Sequence, residues 1–190
     1  MAPGRAPRVY IAGPDVFLPD AAAALQRKKA ICAQFGLEGV TPFDNEVAHD
    51  PAAQHSVAQQ IYAANRDFMH GCAGCIANAS PFRGLSIDPG TAFEIGYMCA
   101  LGRTVFAYSI DARLYEERVA AAAEEPSVRA HTDGGFVTET FGLPDNLMLP
   151  FGVLESGGAF LVAEDGAPAD AATDEALFRR CAQALAGALV

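Results

Sequence analysis

Short apolar runs alternating with single stretches of helical periodicity constrain this chain more than any other feature. Arg8–Ala12, Glu38–Thr41, Cys75–Ala79 and Thr104–Tyr108 read as short strands, each closed by Gly, Pro or a polar cluster. One helix fits between each consecutive pair. Asp20 stands where it could cap a helix over 21–35 that stops at Gly36. Over 55–71, Val57, Ile61, Ala64 and Phe68 recur at i, i+4, i+7 and i+11, an apolar stripe. A third helix fits 90–101 and ends at Gly102. Strands joined through single helices pair in parallel by right-handed crossovers. Further on, 112–124 suits an amphipathic helix, 126–140 a loop around Gly134-Gly135, and Ala159–Val162 a fifth strand. A closing helix runs from Asp174 to Leu189, with Leu177, Cys181, Leu185 and Leu189 four apart. The expectation is one α/β domain over residues 1–190, doubly wound (flavodoxin/Rossmann-like), with a parallel five-stranded sheet flanked by helices. In such a sheet the ligand lies outside the C-terminal ends of the strands.

Composition narrows the partners. The 190 residues carry 13 Lys+Arg against 23 Asp+Glu, a net charge of −10. With no basic cluster there is nothing to release counterions from a phosphate backbone, so nucleic acid is not an expected partner. No apolar run approaches the roughly 18 residues of a membrane span. The first residues lack the apolar core of a secretory signal, so a cytoplasmic location is expected. Cys72-Ala-Gly-Cys75 has no second ligand pair and leads into a strand, which favours two small buried side chains over a zinc or thioredoxin-type site.

The polar residues gather at the predicted strand ends: Gly13–Phe17 after the first, Asp44-Asn-Glu46 after the second, and Asn78 with Pro81–Thr91 after the third. Phosphate-cradling glycine motifs, G-x-S-x-G and H-E-x-x-H are all absent. Carboxylate chemistry remains. Asp88-Pro-Gly-Thr-Ala-Phe-Glu94 is the densest candidate and has two local readings. Asp88 with Pro89 suits a helix start; Thr91-x-x-Glu94 suits a capping box that would occupy Glu94.

These same residues carry a resemblance. Val9–Phe17, Pro42–Glu46, Ile76–Gly84, Asp88–Gly96 and Phe141–Leu149, in this order, resemble the nucleoside 2-deoxyribosyltransferases over most of residues 8–162. The resemblance implies exchange of a 2′-deoxyribosyl group between nucleobases, in a cytoplasmic salvage enzyme acting on 2′-deoxyribonucleosides and free nucleobases. Glu94 matches the family's nucleophile, which forms a covalent deoxyribosyl intermediate without metal or cofactor. Tyr10 matches the tyrosine that holds it. Asp88 and Asp67 match carboxylates that handle the base and its proton, although Asp67 also suits a solvated helix face. Phe17 and Glu46 match pocket residues, Glu46 standing where some relatives have glutamine. Asn78 suits a substrate contact or a loop-stabilising role, whereas Arg83 reads as loop-stabilising.

Asn146 and Met148 match a segment that reaches a neighbouring subunit's pocket, which implies a homo-oligomer with shared sites. Read locally, they form a turn and a buried Leu-Met-Leu run. Two alternatives share the fold: an N-glycosidase that hydrolyses 2′-deoxynucleoside 5′-monophosphates, and a nucleotide sensor without turnover.

Overall fold

The computed structural model describes residues 5–47, 51–123, 137–167 and 169–190. Strands β1 (Arg8–Ala12), β2 (Glu38–Val40), β3 (Gly74–Asn78), β4 (Thr104–Ser109) and β5 (Phe160–Val162) form one sheet in the order 2-1-3-4-5. All four pairings are parallel. Around it pack α1 (Ala21–Gln34), α2 (Gln54–His70), α3 (Pro89–Ala100), α4 (Tyr115–Ala123), α5 (Met148–Glu155) and α6 (Ala171–Ala188). The expected doubly wound α/β sheet is therefore present. Its strand order reverses between β1 and β3, the switch point where such sheets open a crevice.

Side-chain alternation along the strands splits the core into two layers. Val9 and Ile11 of β1, Ile76 of β3, and Phe106 and Tyr108 of β4 pack against Leu25 and Ile31 of α1 and Phe178 and Leu185 of α6. Their neighbours Tyr10, Ala12, Cys75, Ala77, Val105 and Ala107 pack on the other face against Met69 of α2, Ile95 and Met98 of α3 and Val153 of α5. All five cysteines are free thiols. Cys72 and Cys75 are buried in the second layer, where loss of water pushes both thiols upward, Cys72 to about 11.

The first layer encloses a charged cluster. Lys28 of α1 is 1% exposed and donates to Asp15 Oδ1, to Asp174 and to Tyr108 Oη at 2.8 Å. Tyr108 in turn donates to Asp174 Oδ1 at 2.6 Å. Burial pushes the Asp174 carboxyl upward, against the pull of the Lys28 charge. This cluster ties the turn after β1 to α1, β4 and α6.

Several boundaries differ from the sequence expectation. Asp20 stands at the N-cap of α1, but its carboxylate makes no cap bond and pairs with Arg27 at 3.6 Å instead. The last helix begins at Ala171, three residues earlier than expected, because Asp170 caps it by accepting from the Thr173 N–H. The run after Asn146 is a helix, α5, that periodicity did not signal. Its Pro150 lies in the first turn, where a missing N–H costs nothing. Much of the expected loop at 126–140, with Gly134-Gly135, lies outside the described residues. Among the described residues no helix is long and apolar enough to cross a membrane.

Candidate active site

The start of α3 decides what Glu94 is free to do. Asp88 is the N-cap and Pro89 the first helical residue. The Asp88 Oδ2 accepts from the Thr91 backbone N–H at 3.0 Å and from the Thr91 hydroxyl at 3.2 Å. Capping is complete without Glu94, which lies one turn further in. Its carboxylate turns instead toward the sheet and accepts a 2.7 Å hydrogen bond from the Tyr10 hydroxyl at Oε1.

Tyr10 sits fully buried on the interior strand β1. Burial and the adjacent Glu94 charge push its phenol far above the usual tyrosine range, so it acts only as a donor. Burial pushes the Glu94 carboxyl up to about 7, opposed by the Tyr10 hydrogen bond and assisted by the nearby Asp88 charge. A carboxylate poorly solvated yet held by one donor is a reactive oxygen nucleophile once ionised.

Glu94 opens into a cavity of about 580 Å³ at the β1/β3 switch point. Val16, Phe17, Phe43 and Ile61 supply apolar walls, while Asn45, Asn65, Asp88 and Thr91 supply polar edges. Gly13 forms the floor with φ +150°; a Cβ there would come within 2.8 Å of Asn78 Cβ, so only glycine fits. The Phe17 ring stacks on Phe82 at 5.3 Å, and the Arg83 guanidinium lies 4.9 and 4.7 Å from the two ring centroids. Arg83 therefore braces the wall from outside the cavity, in keeping with its expected loop role. A slot with flat aromatic and aliphatic walls and a carboxylate at its end suits a planar ring joined to a sugar.

Residues 9–148 match the family model described as nucleoside 2-deoxyribosyltransferase. The chain belongs to that family. A solved 2-desoxiribosyltransferase from Leishmania mexicana is 35% identical, with 75% of this chain and 85% of that chain covered and a TM-score of 0.59. An uncharacterized protein of Schizosaccharomyces pombe is 39% identical over 121 residues, 62% of this chain. The match spans 56% of the yeast protein, just over half its length. A conserved protein from Enterococcus faecalis V583 shares the fold at 17% identity, with 92% of this chain and 98% of that chain covered and a TM-score of 0.55.

Within this deoxyribosyltransferase-family chain, the structure brings Tyr10, Glu94, Asp88 and Phe17 together at one cavity. Other sequence candidates lie elsewhere. The Asp67 side chain is 67% exposed and pairs with its neighbour Arg66 at 2.9 Å, the solvated-face alternative. Asn65, two positions earlier, lines the cavity instead. Two residues turn a helix by about 200°, so the two cannot share a face. The stripe through Ile61 predicts Asn65 at i+4, and that signal was available in the sequence. Glu46 is exposed, and Asn45 faces the cavity in its place. The extended backbone at Asn45 sends successive side chains to opposite sides.

Asn78 points to the opposite layer. Its Nδ2 donates to Asp15 at 3.3 Å and Asp174 at 3.2 Å, and its Oδ1 accepts from Ser80. Asn146 and Met148 mark the start of α5, outside the lining of the Glu94 cavity; Asn146 Nδ2 donates to Glu139 at 2.9 Å. Behind them, Arg118 is buried and bonds the carbonyls of Leu85 and Pro144 and the Asp145 carboxylate. Asp145 also accepts from the Ser86 hydroxyl and the Ile87 N–H, clamping the loop that leads into Asp88. No group of His, Cys, Asp and Glu among the described residues is arranged to hold a metal ion.

Proposed function

We propose that this chain exchanges the base of 2′-deoxyribonucleosides through a covalent deoxyribosyl-Glu94 intermediate. The observation that carries this is the Glu94 carboxylate at the end of the cavity, one oxygen held by Tyr10. The other oxygen, Oε2, attacks the anomeric carbon as its bond to the base nitrogen breaks. The electron pair of that bond leaves with the base, which takes up a proton relayed from solvent through Asp88, a residue lining the cavity. A second base then occupies the slot; its nitrogen attacks the same carbon, the bonding pair returns to Glu94, and the proton the nitrogen carried leaves through Asp88. Two inversions give net retention. Phe17 and Phe43 stack on each base in turn.

Unphosphorylated substrates fit better than monophosphates. Among the described residues that line the Glu94 cavity there is no Lys or Arg, and Glu94 and Asp88 would repel a phosphate dianion.

A homo-oligomer with shared sites is part of the same proposal. Met148 is 72% exposed, and Phe151 and Leu154 on the same short helix are also exposed. A contiguous apolar face of this kind suits cover by a second copy. The pairing would carry Asn146 and Met148 to the partner's cavity.

The test is direct. Purified protein is incubated with deoxyadenosine and free cytosine, and products are resolved by chromatography. Deoxycytidine formation is expected, together with a mass increase of one deoxyribosyl group on the peptide containing Glu94 after quenching. Release of free deoxyribose at the same rate with and without the acceptor would overturn transfer in favour of hydrolysis. Binding without turnover of any donor would favour a sensor.

A further inference from the structure

Most polar groups around the Glu94 cavity are already used. Asn45 donates its Nδ2 to the Pro42 carbonyl and accepts the Val47 N–H at Oδ1. The Thr91 hydroxyl is turned to Asp88, and Glu94 is held by Tyr10. Asn65 is the exception. Its amide oxygen is shielded from water and has no hydrogen-bond partner, although the residue lines the cavity. Buried acceptors are normally paired, and an unpaired one destabilises the protein unless something else supplies the donor. A half-turn about the soft Cβ–Cγ bond exchanges the amide oxygen and nitrogen, and would turn that oxygen to a ring lying in the slot. Ile61, one turn before it on α2, and Phe17 and Phe43 provide the flat apolar surfaces between which such a ring would lie.

We propose that Asn65 selects the nucleobase, its amide oxygen accepting a hydrogen bond from an exocyclic amino group. The site then favours amino-bearing bases (adenine, cytosine) over their keto counterparts (hypoxanthine, uracil). This rests on the transfer reading above and adds to it the chemical class of base. The atom without a partner is an acceptor, so the base must present a donor. A keto oxygen placed against it is repelled, and both acceptors lose their water without compensation, the situation in which polar pockets discriminate most strongly.

The experiment compares deoxyadenosine with deoxyinosine as donors, and binding of free adenine with free hypoxanthine by calorimetry. The wild-type protein is expected to favour the amino base by about tenfold or more in kcat/KM and in affinity, the effect of one unpaired polar contact. Asn65→Leu should bring both ratios close to one, with binding and exchange of the amino base lowered the more. Asn65→Asp, which when ionised only accepts, should retain the preference. Loss or reversal of the preference in Asn65→Asp would show that the amide acts as a donor to a keto group, and would overturn the inference. Equal use of the two bases by the wild type would overturn it as well. If Asn65→Leu does not fold, judged by circular dichroism, the Asp variant decides. Should the wild type exchange no base at all, the transfer reading fails, and the free-base affinities still test Asn65 independently.

Discussion

The Tyr10 hydroxyl donates to Glu94 Oε1 across 2.7 Å, joining strand β1 of the sheet to the second turn of α3. That bond fixes which carboxylate oxygen is free. It also moderates the effect of burial on Glu94, whose carboxyl stands near 7 even with the donor in place.

Glu94→Ala is expected to lower the rate of base exchange by a factor of about 10⁴ or more, because no other group in the cavity replaces the nucleophile. Chromatographic product formation measures it. Substantial exchange by a folded Glu94→Ala protein would refute the covalent route.

Because attack requires the carboxylate, kcat/KM should fall tenfold per pH unit below about 7 and level off above it. Initial rates from pH 5 to 9 check this. Tyr10→Phe removes the hydrogen bond that lowers the Glu94 carboxyl, so the acid limb should move to higher pH. An unmoved limb would show that the titrating group is not Glu94.

The same shift has a stability consequence. The folded value of about 7 lies above the ordinary 4.5, so the native state binds the extra proton between these values. Stability associated with Glu94 is therefore present below about pH 4.5 and is lost as pH rises through about 7. The difference of about 2.5 units corresponds to on the order of 3 kcal/mol. Glu94→Gln, which still accepts from Tyr10, should raise Tm by several degrees at pH 8 and scarcely at pH 4. Calorimetric scans at the two pH values provide the comparison.

Lys28→Met should be strongly destabilising, by about 3–5 kcal/mol, because Asp15 and Asp174 are left buried beside each other without their cation. Urea denaturation measures the loss. Adding Asp174→Asn to the same chain should recover part of it by removing one uncompensated charge.

Shared sites can be tested by mixing. Glu94→Ala and Asn146→Ala chains, each impaired alone, should regain exchange activity once their subunits have exchanged, since one cavity of a mixed dimer holds both native residues. No recovery, with exchange proven by mass spectrometry, would place both residues in one subunit's site.

The sheet and the freedom of Glu94 from helix capping were legible because they rest on short-range patterns. Alternation of strand and helix set the parallel topology, and the Asp88-Pro89 start left Glu94 free. The base side of the cavity was harder to read. Asp67 and Asn65 differ only in phase on one helix, and a carboxylate attracted the assignment where periodicity through Ile61 favoured the amide. Glu46 and Asn45 differ by one extended residue, a shift that reverses the facing side chain. Asn78 carried no local sign that the cluster around Lys28, on α1, would claim its side chain: that cluster joins Asp15, Lys28, Asn78, Tyr108 and Asp174 from five separate elements. The helix α5 was hidden by Pro150 and Gly152, both poor helix formers.

Tyr10 and Glu94 belong to a strand and a helix of the frame, whereas Phe17, Phe43 and Asn45 belong to connections and Asn65 to the outer layer. In the proposed reaction, bond breaking and base choice thus have separate backbone owners. Loops grafted after β1 and β2, together with one position on α2, form a small exchangeable set. Libraries confined to that set could diversify the bases accepted for nucleoside synthesis while leaving the reacting carboxylate and its phenol undisturbed.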